Sequence, residues 1–206
     1  MPAMSSDVER LATGRGAATR AALLDAAREV FVEKGFAEAG VTDVVAKAKA
    51  SVGSLYHHFS GKADLYLTLF EEFQARQAQR TKQAAREVRA EGESDPMRVF
   101  LAAAHAYLAG SLEERELAAL FLRGDGPPGF EVIMRERLRT WAKRNAALFD
   151  DDEGALVVVV TGALAAAVSE VVLSEDETAA RRLADDVLAI IGRIRPVTSA
   201  GGTSTG

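Results

Sequence analysis

The chain contains no cysteine in 206 residues, which excludes a disulfide framework and any thiolate nucleophile or thiolate metal site. Histidine occurs three times, and two of the three are the neighbours His57 and His58. Adjacent residues on a helix point about 100° apart, so this pair does not face a common ion. No nucleophile elbow, phosphate-cradling glycine loop or zinc-binding histidine pair is present. The chain is therefore read as a non-enzyme with no cofactor and no metal. Strand-period alternation is missing and no segment repeats. The N-terminus has no apolar leader core, so a cytoplasmic protein is expected. Excess positive charge is also lacking, because the net charge is −5. Bulk charge alone does not bring such a chain to nucleic acid.

What is present is helical periodicity, and the fold class read from it is all-α. Thr19 is placed to cap a helix whose apolar positions Leu23, Ala27, Val30 and Phe31 fall on one face. Gly35 follows as its stop. A second helix is expected over residues 41–48, with Val41, Val44, Val45 and Ala48 turned inward. Ser51 is read as the cap of a third helix anchored by Leu55 and Phe59. Val52, Gly53, Ser54, Tyr56 and His57 are left on or near its outer side. Ser60 is read as the cap of a fourth helix starting near Lys62. Two short helices joined by a tight turn, with a small, hydroxyl-rich and aromatic outer face, form a unit suited to DNA.

These residues carry a resemblance. RAALLDAAREVFVEKGF, VTDVVAKAKAS and above all VGSLYHHFSGKADL resemble the DNA-binding domain of the TetR (tetracycline-repressor/AcrR) family of bacterial regulators. The resemblance covers about a quarter of the chain. It implies a ligand-binding and dimerisation domain beyond the helix-turn-helix. It also singles out DNA-contacting residues. Thr42 is expected to donate its hydroxyl to a phosphate. Ser51, Val52, Gly53 and Ser54 form the turn that enters the major groove. Tyr56, His57, His58 and Lys62 are expected at phosphates. Three positions depart from the family pattern. Lys49 stands at the usual turn glycine, where a left-handed backbone costs roughly 1 kcal/mol. Val52 replaces a polar side chain, leaving an apolar tip suited to a thymine methyl. Gly40 replaces the usual Ser/Thr cap of the second helix.

Charge is distributed unevenly around this head. Residues 1–62 are net +1 and residues 63–206 are net −6. The expected organisation is a flexible arm over 1–16, a three-helix helix-turn-helix domain over 17–64, a helical ligand-binding and dimerisation domain over 65–195, and a disordered tail over 196–206. Within the third part, Pro96 and Asp95 open a helix after a break at 92–95. Ser111 and Ser174, each with an acidic residue three positions on, are read as capping boxes. RGDGPPG, residues 123–129, is a loop by composition.

ALVVVVTGALAAAVSEVVL, residues 155–173, is long enough to span a membrane. Glu170 inside it and acidic flanks argue instead for a buried helix, with no membrane partner. The last helix turns Leu183, Val187, Ile190, Ile191 and Ile194 inward. Two such helices from each of two subunits would make a homodimer interface. Candidate contacts for a small, hydrophobic effector are Phe100, His105, Tyr107, Phe121, Phe130, Met134, Trp141 and Glu170. The function expected is a homodimeric repressor on palindromic operator DNA, released by that effector. The alternative is a helical regulator controlled by a protein partner, or an activator.

Overall fold

The apolar spacing is realised as nine helices and no strand among the described residues, 4–149 and 154–194 of the computed structural model. They are α1 (Met4–Glu38), α2 (Val41–Lys47), α3 (Val52–His58), α4 (Lys62–Ala90), α5 (Pro96–Glu113), α6 (Arg115–Leu122), α7 (Phe130–Ala146), α8 (Gly154–Leu173) and α9 (Glu177–Ile191). The chain divides into two compact units. One runs to Arg76 and takes back Glu114–Ile133. The other comprises Gln77–Glu113 and the residues from Met134 onward.

In the first unit α1 buries Leu23, Ala27, Val30 and Phe31, the stripe its spacing predicts. Within the stretch expected as a flexible arm, residues 1–16, the backbone is helical from Met4 onward. Extending an established helix is far easier than nucleating one, so Gly14 and Gly16 do not stop it. Residues 1–3 lie outside the described residues. At Gly35 (φ 78°) the helical path breaks. The first turns of α4 bring Tyr66, Phe70 and Phe73 to Phe121 of α6 and Phe130 of α7. Tyr66 and Phe70 meet both of those rings edge-on at centroid distances of 4.9 to 5.3 Å. The helix-turn-helix thus belongs to a larger unit than residues 17–64, one that includes α6 and the start of α7.

Two caps differ from expectation. Ser111 lies inside α5, fully buried, and donates its hydroxyl to the Tyr107 carbonyl at 2.8 Å. The next helix instead starts after Glu114. The pattern S-x-x-E was satisfied at Ser111, but burial of α5 carries the helix through it. Likewise Asp176, not Ser174, caps α9, accepting from the Thr178 and Ala179 amides at 2.8 and 3.0 Å. Asp95 caps α5 as expected, accepting from the Met97 amide at 2.9 Å.

The second unit gathers Phe100, Ala104 and Leu108 of α5, Leu156, Val160, Leu164 and Val171 of α8, and Ala180, Ala184 and Ile191 of α9 into one core. Asn145 of α7 donates to the Thr161 hydroxyl of α8 at 3.1 Å, with both side chains buried. α8 is long and apolar enough to cross a membrane by length and composition, and half of its most apolar stretch is buried inside the protein. Its other side exposes Ala155, Val158, Val159, Gly162, Ala166 and Leu173. The inward set expected for α9 is partly corrected. Leu183 and Ile190 are exposed, because the face α9 turns to the core runs through Ala180, Ala184 and Ile191, with Val187 and Ile194 packed beside it. The acidic break at 150–153 and the tail at 196–206 lie outside the described residues.

Candidate nucleic-acid interface

Two ion pairs and two caps fix α2 and α3 on α1. Gly40 precedes α2 and has no side chain to cap it, so Asp43 reaches back and accepts from the Gly40 amide at 3.0 Å. The same carboxylate meets Lys34 of α1 at 3.0 Å. The Lys34 hydrogen bond, followed by the Gly40 amide, holds Asp43 below the usual carboxylate range. Lys47 pairs with Glu29 at 2.7 Å, and that bond holds its ammonium above the usual lysine value. Both cations are thereby committed to α1–α2 docking.

The turn after α2 is a Schellman closure built on lysine. The Lys49 amide bonds the Ala46 carbonyl at 3.3 Å, the Ala50 amide bonds the Val45 carbonyl at 3.0 Å, and Lys49 itself has φ 51°. The lysine adopts the left-handed conformation that the family's glycine would take without strain. Ser51 then caps α3, its hydroxyl oxygen accepting from the Ser54 amide at 3.1 Å.

α3 has seven residues and buries only Leu55. Val52 (43% exposed), Gly53, Tyr56 (57% exposed) and His57 face outward, as does Thr42 at the start of α2. Ser54 and His58 are half-buried. The His57 and His58 rings meet edge-on with centroids 4.9 Å apart. Thr42, Ser51, Val52, Gly53, Tyr56 and His57 are therefore open to solvent, and Ser54 and His58 partly so.

Lys62, expected at a phosphate, is engaged within the protein. Its ammonium donates to the carbonyls of Phe36, Ala37 and Ala39 at 2.9, 3.0 and 3.0 Å, and it lies 4.6 Å from the Phe36 ring centroid. All three donors of the ammonium are engaged in closing the end of α1. The carbonyls left unpaired where α1 ends attract the positive charge.

The eight candidate effector residues fall into separate groups. Phe121 and Phe130 belong to the aromatic cluster of the first unit. Phe100, Tyr107 and Trp141 lie in the second, where Tyr107 and Trp141 stack at 5.7 Å with rings inclined 23°. Met134 is half-buried at the start of the second unit's share of α7. His105 and Glu170, singled out as buried polar groups needing a partner, are exposed. A polar group of the kind sought does exist in Gln77, 1% exposed, with neither amide atom hydrogen-bonded. It stands beside Gly110, where a Cβ would come within 2.6 Å of its amide oxygen. Gln77 lies in a mostly polar stretch of α4, where no local pattern marks a buried position. The first unit holds a second missed feature, the carboxylate of Asp125 against the end of α1.

Comparison with known proteins bears on this arrangement. The family model described as "Bacterial regulatory proteins, tetR family" matches residues 23–69, the stretch from α1 through the start of α4. The chain is similar to the transcriptional regulator AcuR of Cereibacter sphaeroides, 31% identical over 62% of this chain and 59% of that protein. It is 44% identical to the transcriptional activator FasR of Mycolicibacterium smegmatis over 25% of this chain and 24% of that one. It is 32% identical to the transcriptional repressor BepR of Brucella suis over 37% of each. The chain thus spans less than two thirds of the length of each of these curated relatives. Among solved structures, the fold is similar to the TetR-family regulator PfmR of Thermus thermophilus, with TM-score 0.66 and 17% identity over 85% of this chain and 96% of that one. It is also similar to a TetR-family transcriptional regulator of Pectobacterium atrosepticum, with TM-score 0.59 and 25% identity over 89% and 98%. The helix-turn-helix is thus that of the tetR family of bacterial regulatory proteins, and the fold over most of the chain is similar to that of TetR-family regulators.

Proposed function

We propose that this protein regulates transcription by binding a palindromic operator as a homodimer, as a repressor, and that a small organic effector releases it. The observation that carries the reading is α3, a helix capped at Ser51 that buries only Leu55 and exposes Val52, Gly53, Tyr56 and His57. Val52, Gly53 and Ser54 occupy the turn that enters the major groove, and Tyr56 and His57 lie beyond it toward the backbone. Gly53 allows close approach, since only the Ser51 hydroxyl lies within 4 Å of a Cβ added there. Two such helices related by a two-fold axis read half-sites about 34 Å apart.

Phe100, Tyr107 and Trp141, with the unpartnered amide of Gln77, are the polar and apolar groups that suit a small organic molecule in the second unit. α4 contributes residues 62–76 to the first unit and 77–90 to the second. An effector with different affinities for two states of the protein would shift DNA binding by a coupling of about 1–3 kcal/mol. An activator is the second reading, favoured by the match to a relative named as one.

The test is binding to DNA from around the protein's own gene at fixed salt, with the double variant Ser54→Ala/Tyr56→Ala alongside. Specific binding by the wild type that is lost in the variant supports the reading. Equal binding by both rejects α3 as the reader.

A further inference from the structure

The loop RGDGPPG, residues 123–129, takes no part in the reading face, yet it reaches the element that carries it. Asp125 accepts from the Phe36 amide through Oδ2 at 2.9 Å, across 89 positions of sequence. The contact falls where α1 leaves its helical path, at Gly35 with φ 78°. A Cβ on Gly35 would stand 2.5 Å from that same oxygen, so the backbone conformation and the close carboxylate both require glycine. Arg123 extends toward the Val32 carbonyl of α1 at 3.5 Å. Lys62 grips the following carbonyls, those of Phe36, Ala37 and Ala39. The connection from α1 to α2 is therefore held from two sides, its amide by a carboxylate and its carbonyls by an ammonium.

The loop is built to hold that carboxylate in place. Pro127 is buried, and the Phe130 amide closes onto its carbonyl at 3.0 Å. Gly126 admits no side chain, since a Cβ there would meet the Phe130 ring at 2.7 Å. Oδ1 of Asp125 is buried with no hydrogen-bond partner. An unpaired buried carboxylate oxygen is unfavourable, so this residue is a poor choice for stability alone. Its effect is on direction, because α2 begins at Val41, shortly after the bond it makes at Phe36, and α3 follows α2.

We propose that Asp125 is a positioning residue for DNA reading, fixing the α1–α2 connection so that α2 and α3 are presented in the binding-competent orientation. The inference rests on the DNA-binding function proposed above. Losing the bond lowers the fraction of competent heads, and apparent affinity falls by that fraction. No phosphate contact is removed, so the dependence on salt is unchanged.

The experiment uses the full chain and a duplex that the wild type selects from a random-sequence pool. Dissociation constants are measured at several salt concentrations, at a temperature where circular dichroism shows every variant fully folded. Asp125→Ala is expected to bind about tenfold more weakly with the same salt slope, and to speed exchange of the Phe36 amide proton. Asp125→Asn keeps an acceptor oxygen for that amide and is expected to bind within about twofold of wild type. Wild-type affinity in Asp125→Ala overturns the inference, as does an altered salt slope or an equal loss in Asp125→Asn. Selection of no duplex by the wild type defeats the proposed DNA-binding function, and this inference with it. A selected duplex bound equally by wild type and Asp125→Ala defeats this inference alone.

Discussion

Lys62, Asp43 and Lys49 show what single residues decide. Lys62 holds three carbonyls at the end of α1. Lys62→Met is therefore expected to lower unfolding free energy by about 1–3 kcal/mol while leaving the salt slope of DNA binding unchanged. A denaturant melt and a salt titration on one preparation read both quantities. A slope reduced by about one would restore the phosphate role. Asp43 is held below the usual carboxylate range, chiefly by its hydrogen bond to Lys34, so it binds protons less readily folded than unfolded. Its contribution is full above the unfolded value and disappears as pH falls through the lower folded one. The stability difference between wild type and Asp43→Asn is thus expected to shrink only below about pH 4, followed by melts across that range. Lys49, at φ 51°, occupies a conformation that glycine adopts without strain. Lys49→Gly is expected to gain about 1 kcal/mol. A shift of the denaturant midpoint in the destabilising direction would reject the strain.

At the scale of elements, signals confined to a few residues were readable and those arising from tertiary packing were not. The Ser51 cap, the Gly35 stop and the strained Lys49 turn depend on residues within five positions of one another, and the sequence displays them directly. Ser111 and Ser174 show the same S-x-x-acid pattern as a true cap, yet neither caps a helix. Burial carries α5 through Ser111, and the next good capping side chain, Asp176, takes the start of α9. Asp176→Ala is accordingly expected to cost about 1 kcal/mol, with Ser174→Ala well below that, as thermal melts would show. Equal costs would mean the two side chains share the cap. RGDGPPG was legible as a loop, but its docking was not, because Phe36 lies 89 positions away and no local period links them. The same holds for Gln77, whose neighbour Gly110 comes from another helix.

For the whole molecule, the exposed apolar side chains identify the surfaces that need covering. Nine large ones are exposed among the described residues, and five of them lie on α8 and α9: Val158, Val159, Leu173, Leu183 and Ile190. That concentration on the last two helices favours a second copy of the chain as the covering partner, since such a face on a lone protein invites association. Gly162 and Ala166 leave the middle of the α8 stripe low enough for close helix approach, and both are exposed. Val158 is 71% exposed and Ile190 61%, so a carboxylate at either position stays in water in a lone chain and the fold is retained. Within a dimer the same carboxylates would be buried without partners, at a cost of several kcal/mol per ion. Val158→Glu/Ile190→Glu is therefore expected to sediment as a monomer with unchanged helicity. It is also expected to lose affinity for a palindromic operator while keeping weak binding to an isolated half-site. A variant that still sediments as a dimer would place the interface elsewhere. A monomer that binds the palindrome as tightly as wild type would show that one head suffices, and the two-fold reading of the operator would then have to be abandoned.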